Sequence, residues 1–476
     1  MKRLKLVLFT TIFFLATAIS VSAEEARLLR FPDIHGEQVA FVYGGDIWTV
    51  SSGGGTATRL TSHQGLERFP KFSPDGKWIA YVSDSTGEDE IYLRPADGSG
   101  KEIALTTGGD RCRFAPIWSP DSKKLLFSDK SLRLFYINIE TKKPVKIDQA
   151  TANEIKDYQW SPDSQWVTYS KCNDVTWFSS IYIYSLADKS VFKLTGDYTN
   201  DANPVFDPVG KYLYFLSARD FSPSFVSYEF NHFFRKMDRP YAIILQADGT
   251  SPFAPGEDDK NENKTSHPGM KIDLPGIQER VVAFPVQRDN YGMLRATRDH
   301  IFYCKFNDDI AAGLFVYNHD SKFGWGSAAL YVFNLDDQEE TKLQDPVSSY
   351  SISPDGKKLL YRSVSAFGIL DAAPEQAKPG GEKIDLSGME MWRHPRKEWC
   401  NCFYETWRLF RDYFYVPNLH GVDWLKIRET YAELLPYIST RDDLTYVLSE
   451  MVGELGASHC YVGGGDKPTE KYHDVG

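Results

Sequence analysis

The chain has 476 residues, 14% aromatic and 25% charged, with a formal net charge of −11. That acidic balance argues against nucleic acid as a partner, and the length exceeds one ordinary domain, so two are expected. With 27 Tyr and 30 Phe, the composition suits β-structure.

Residues 1–23 read as a leader rather than as part of the fold. Lys2, Arg3 and Lys5 precede an apolar run from Leu6 to Ile19, and Val21-Ser22-Ala23 is a small-residue cleavage pattern followed by Glu24-Glu25. This is the plan of a secretory signal peptide, with an uncleaved membrane anchor as the alternative. Either way the chain is expected to be exported, with the periplasm as its compartment.

A turn then recurs. Phe72-Ser73-Pro74-Asp75-Gly76-Lys77 is followed by Trp118-Ser119-Pro120-Asp121-Ser122-Lys123, Trp160-Ser161-Pro162-Asp163-Ser164-Gln165, Phe206-Asp207-Pro208-Val209-Gly210-Lys211 and Ile352-Ser353-Pro354-Asp355-Gly356-Lys357. The first four copies are spaced by about 42–46 residues, and the last gap is about three such periods; short strands at that period mark a propeller or solenoid. In each copy proline presets φ, Asp bonds nearby backbone, and Gly or Ser takes the awkward dihedral. A leading apolar residue ends one strand. Apolar or alternating runs follow, such as Trp78-Ile79-Ala80-Tyr81-Val82 and Glu90-Ile91-Tyr92-Leu93, and a fourth run ends near Leu60-Thr61, Leu105-Thr106 or Leu194-Thr195. Four antiparallel strands per repeat make a propeller blade; a β-sandwich with chance turn similarity is the alternative.

Blades are expected at Leu28–Thr61, Phe69–Thr106, Ala115–Ile147, Tyr158–Thr195 and Pro204–Leu245, with an irregular sixth over Val281–Leu343 and a seventh from Val347 to Asp371. The propeller is thus assigned to residues 24–371. The charged stretch Pro252–His267 reads as a solvated insert. A linker over 372–395 contains Pro374, Pro379, Gly380 and Gly381.

Beyond it the hydrophobic period changes. Trp399, Phe403, Trp407, Phe410 and Phe414 form one face of an amphipathic helix that Pro417 stops. Asp423 is an N-cap for a second helix carrying Trp424, Ile427, Tyr431, Leu434 and Leu435, with Pro436 near its end. Thr440 with Asp443 begins a third, carrying Leu444, Val447, Leu448, Met451 and Leu455, with Gly456 placed for a left-handed stop. A small helical domain, 396–476, therefore follows the propeller.

The helices lead to Gly453-Glu454-Leu455-Gly456-Ala457-Ser458-His459-Cys460-Tyr461-Val462 and then Gly463-Gly464-Gly465-Asp466. A lone histidine just past a helix is more often structural than catalytic. Its pKa range does suit proton transfer near neutrality, and loop-like surroundings often carry function. Cys460 is a poor nucleophile for His459, since neighbours in extended chain point to opposite faces. The six cysteines contain no CxxC and suggest neither a dense disulfide framework nor a metal site; no cofactor is expected.

The segment Glu454 to Asp466 resembles the one that carries the catalytic histidine in tricorn-type serine peptidases, relatives of the C-terminal processing peptidases. Trp407-Arg408-Leu409-Phe410-Arg411-Asp412-Tyr413-Phe414-Tyr415 and His420-Gly421-Val422-Asp423-Trp424 resemble the same family's helical domain, and Tyr291-Gly292-Met293-Leu294-Arg295-Ala296 and Asp371-Ala372-Ala373-Pro374 its propeller. The resemblance implies a serine peptidase acting on oligopeptides. His459 would be the general base, Ser458 would help hold the imidazole, and the propeller would be a selective channel that excludes folded proteins. It also implies a possible homo-oligomer, and the family includes cytoplasmic members. In the family, a PDZ-like domain and a domain bearing the nucleophilic serine, the oxyanion donors and an orienting glutamate come next.

Two departures from that pattern stand out. The sequence closes at Gly476 without a segment supplying the nucleophile, and Gly324-Trp325-Gly326-Ser327-Ala328 is no strand-turn-helix elbow. The family also has two propellers and this chain has room for one; blade one and part of blade two resemble the start of the first propeller, and the rest resembles the second. The chain reads as an internally shortened, truncated member that has no peptidase activity alone. A non-catalytic periplasmic binding or scaffold propeller is the alternative.

Overall fold

The computed structural model describes residues 29–465, apart from 64, 221–222, 227–230, 235, 255–269, 307–327, 364–365 and 375–393. The leader at 1–23, most of the Pro252–His267 insert and Gly324–Ser327 lie outside the described residues.

Seven antiparallel blade sheets follow one another along the chain, and a two-stranded hairpin, Pro223–Val226 with Asn231–Phe234, is inserted between strands of the fifth. Six have four strands in sequence order, and the seventh has three among the described residues. In blades two, three, four, five and seven the inner strand meets its second strand through the repeated turn. In that turn the Ser73 hydroxyl donates to Asp75 at 2.6 Å and accepts from the Trp78 amide at 3.0 Å. Ser161 repeats both bonds, to Asp163 at 2.5 Å and from Trp166 at 2.8 Å. Serine can replace glycine here for a second reason. Ser122 and Ser164, at φ 57 and φ 60, accept through their hydroxyls from the Asp75 and Asp121 amides of the preceding blades' turns, each at 3.1 Å. The bond offsets the cost of a left-handed dihedral.

The core is distributed. Each pair of neighbouring blades shares one hydrophobic seam: Ala40, Val42 and Ile47 of blade one pack with Phe72, Ile79 and Tyr81 of blade two. The pattern repeats between blades two and three, three and four, four and five, five and six, and six and seven. The last seam closes the ring, with Ile34, Val39, Phe41 and Tyr43 of blade one against Leu360 and Phe367 of blade seven. Closure here rests on side-chain packing between the first and last sheets.

The inner strands carry a second repeat. Register shifts fall at Arg30/Asp33, Arg68/Lys71, Ala202/Val205 and Gly292/Arg295. A non-glycine residue at positive φ sits in each bulge: Phe31, Phe69, Asn203 and Met293. Bulges bend a strand and re-aim its side chains. Hydrogen bonds then run from blade to blade around the centre. Asp157 Oδ2 accepts from the Asn203 amide at 2.8 Å, Asn203 Oδ1 accepts from the Met293 amide at 3.0 Å, and the Tyr350 hydroxyl donates to the Met293 carbonyl.

Two expectations need correction. Val281–Ala283 pairs with Arg239–Ile244 and completes blade five, so blade six begins at Tyr291 instead of Val281. Gly456 does take a left-handed φ of 57, but it lies three residues beyond the last helix, which ends at Gly453 through the right-handed Glu454.

The belt supports a graded prediction. Asn203→Ala removes the acceptor for Met293 and puts a Cβ-bearing residue without a polar side chain at φ 54. It should cost about 2 kcal/mol in urea unfolding, and Asn203→Gly about 1 kcal/mol less, because glycine escapes the left-handed penalty. Equal losses for both variants would show that the dihedral contributes nothing.

Candidate functional site

Inner-strand residues from all seven blades, among them Asp33, Phe69, Gln159, Asn203, Arg295 and Tyr350, surround a central cavity of about 2110 Å³. The repeated-turn prolines, including Pro74, Pro162 and Pro354, border one end. The helix α1 (Pro395–Tyr413) lies at the other, where the inner strands begin; its Glu405, Arg408, Leu409, Arg411, Asp412 and Tyr413 line the same cavity.

Charge holds α1 there. Arg408 Nη2 bonds Asp84 Oδ2 at 2.5 Å, and Arg411 grips Glu88 with both terminal nitrogens at 2.6 and 2.9 Å. The Asp412 carboxylate accepts from the Cys112 amide at 3.0 Å, and Lys130 Nζ sits 4.1 Å above the Tyr413 ring. All of these partners belong to blade two, blade three or the segment between them. Burial raises the Asp84 carboxyl pKa, while Arg408 and the Leu66 amide oppose the shift. Burial works against the charge on Arg411, yet Glu88 and Asp412 outweigh it and hold the guanidinium protonated. Burial also pushes the Cys112 thiol up to about 12, which makes it inert as a nucleophile.

Next to this junction Glu67 is fully buried, with its carboxylate accepting from Ser83 at 3.1 Å and from Thr61 at 3.2 Å. Burial first, and the nearby Asp46 second, push its carboxyl up to about 8.

The helices α1, α2 (Trp424–Ala432) and α3 (Arg441–Gly453) enclose their own core around Phe403, Trp407, Leu444, Leu448 and Met451. Trp407 and Trp424 each donate the indole N–H to the other's carbonyl, at 2.7 and 3.0 Å. Asp423 caps α2 through the Lys426 amide at 3.1 Å, and Thr440 with Asp443 forms a full capping box on α3. These caps stand where the sequence places them.

Leu455, 1% exposed, is the last fully buried residue of that core, and Cys460 and Val462 pack against it beyond the next turn. The chain then turns through Gly456, and Ser458 and His459 stand exposed. His459 has φ 63, uncommon for a residue with a side chain. Its ring meets Tyr461 edge to face at 6.3 Å, and it makes no hydrogen bond to a described residue. Cys460 packs toward the helical core, away from the exposed imidazole. Gly465 ends the described loop at φ 94, where an added Cβ would lie 2.4 Å from Arg441 Nε.

Neither Ser458 nor His459 lines the central cavity. Ser458 makes no hydrogen bond to the imidazole, and no other described hydroxyl or thiol does. The loop thus presents an exposed imidazole to which no described hydroxyl or thiol is bonded. All six cysteines are free thiols, and among the described residues no three His, Cys, Asp or Glu side chains form a metal-binding group. Sequence reasoning missed the arginines and aspartate of α1 that dock it, and also His420, which contacts the His459 loop. In sequence, the segments holding them carry only the family resemblance.

Comparison with known proteins covers both parts of the chain. The family model described as the tricorn protease second beta propeller domain matches residues 30–373, and the tricorn protease C1 domain matches residues 395–453. The second-propeller match takes in all of blades one and two, whereas the sequence likens blade one and part of blade two to the start of a first propeller. A tricorn protease homolog of Saccharolobus solfataricus is 31% identical over 450 residues, spanning 93% of this chain and 40% of that protein. A putative tricorn-like protease C-terminal subunit of Sulfurisphaera tokodaii is 29% identical, spanning 89% of this chain and 47% of that one. The crystal structure of the tricorn protease superposes with a TM-score of 0.79 at 20% identity, over 92% of this chain and 42% of that one. The chain therefore spans less than half the length of these relatives.

Two outcomes follow from the electrostatics. Arg408→Ala leaves a buried carboxylate unpaired and should cost about 2 kcal/mol, less than a fully buried pair because Arg408 is partly exposed. In calorimetry the helical part should melt ahead of the ring, and adding Asp84→Asn should recover part of the loss. For Glu67, the folded carboxyl binds its proton more tightly than the unfolded one, so stability is greatest below the unfolded pKa and falls as pH rises toward about 8. Glu67→Gln should flatten that decline between pH 5 and 9; an unchanged slope would mean another group drives it.

Proposed function

The chain belongs to the tricorn protease family, and from that premise we propose that it is the channel-and-base portion of a serine-type peptidase acting on oligopeptides. One observation carries the reading. The loop leaving a rigid helical core holds His459 exposed, in a left-handed conformation that costs free energy. Strain of this kind persists only where the surroundings impose it and is concentrated at functional sites. His459 is assigned as general base and Ser458 as the residue that helps hold the imidazole. The central cavity is assigned as a passage for extended peptides that excludes folded proteins. The basic, apolar and small-residue pattern of residues 1–23 supports export to the periplasm.

By this reading the 476-residue chain has no hydrolytic activity of its own, since no described serine or cysteine is bonded to His459. Purified chain should take no fluorophosphonate label; stoichiometric labelling would overturn the inactivity. In any form of the protein that turns over peptides, His459→Ala should lower kcat about a thousandfold with the fold intact, within the range of lost general-base catalysis. Retained kcat would remove His459 from the mechanism.

A further inference from the structure

A second histidine is built against the loop that carries His459. Phe414 and Tyr415 leave α1 and run into a short turn at Leu419–Gly421. Leu419 and His420 both take left-handed backbone, at φ 49 and φ 57, and Leu419 is buried in the helical core. The His420 ring stands edge to face against Phe414 at 5.0 Å and Tyr415 at 5.3 Å. Its Nδ1 lies 2.8 Å from the Leu455 carbonyl oxygen, and its Nε2 lies 2.5 Å from the Tyr415 hydroxyl.

These contacts fix the proton. A carbonyl oxygen only accepts, so Nδ1 carries the hydrogen, and in the neutral ring Nε2 is left to accept from Tyr415. A neutral imidazole can satisfy both partners in that tautomer alone. Leu455 is the last core-anchored residue before the exposed turn, four positions ahead of His459. The adjoining Glu454 is tied separately, by the Tyr431 hydroxyl at 2.8 Å. The departure point of the loop is thus held by a hydrogen bond whose donor is itself held by a second one.

We propose that His420 is a positioning residue for His459. Tyr415 sets its tautomer, and its Nδ1–H fixes the Leu455 carbonyl from which residues 456–459 depart. His420 acts through Leu455 and does not meet the reacting atoms. The purpose assigned to it rests on the reading of His459 as base; the brace itself does not.

The test uses the full chain with 15N-labelled histidine. In its neutral form His420 should show the Nδ1–H tautomer, and Tyr415→Phe should release it into a mixture. His420→Ala should speed amide exchange at residues 456–460 about fivefold, the value of one modest hydrogen bond, and leave residues 447–451 of α3 unchanged. His420→Asn retains a donor near the Nδ1 position and should restore most of the protection. An Nε2–H tautomer, unchanged exchange in His420→Ala, or a loss that spreads equally into α3 would each overturn the proposal. Failure of the base assignment would instead appear as retained kcat in His459→Ala, measured in a form of the protein that turns over peptides, with these exchange rates untouched, so the two failures are separable.

Discussion

The structure depends on closing the ring by side-chain packing. Ile34, Val39, Phe41 and Tyr43 of the first blade meet Leu360 and Phe367 of the last, and these sheets exchange no strand across that seam among the described residues. Every other seam has the same make-up, so no single central core exists. The hydrophobic drive is divided among seven interfaces of similar composition, and each gains from its neighbours only when the circle is complete. The inner bulges and the hydrogen bonds linking Asp157, Asn203, Met293 and Tyr350 add direction to that otherwise non-directional force. They tie successive inner strands to one another around the central cavity.

The open middle gives the helical part its place. α1 is amphipathic twice over. Phe403 and Trp407 face the helical core, while Arg408, Arg411 and Asp412 face the ring. Arg411 also lies 5.2 Å from the Trp407 ring, so one side chain touches both the ion pairs and the aromatic core. Through α1, the Trp407–Trp424 pair and Leu455, rigid contacts run from blade two to the loop bearing His459.

What the sequence made legible follows from how local each signal is. The blades were readable because the Ser-Pro-Asp turn closes its own hydrogen bonds within six residues. The caps at Asp423 and Thr440 were readable for the same reason. The fourth strand of blade five was assigned to blade six because a charged insert separates Val281–Ala283 from its partner Arg239–Ile244, and alternation alone does not say which sheet a strand joins. The docking of α1 was not readable. Arg408 and Asp84 are 324 residues apart, and a surface arginine on a helix looks the same in sequence whether it meets water or a buried carboxylate. At the candidate site, the histidine was found through resemblance, whereas its exposure and left-handed backbone emerged only in three dimensions.

The docking of α1 is one-sided, and this has a consequence for how the protein can vary. Its polar anchors fall on blades two and three and the segment joining them, where strand-to-strand connections are short. The long segments between successive blade strands, 218–238, 245–280 and 307–327, all fall in sequence within blades five and six. The added chain thus lies in blades that carry none of the described polar anchors of α1. Lengthened connections can accumulate there without disturbing the imidazole, while the anchoring sector has little room to change.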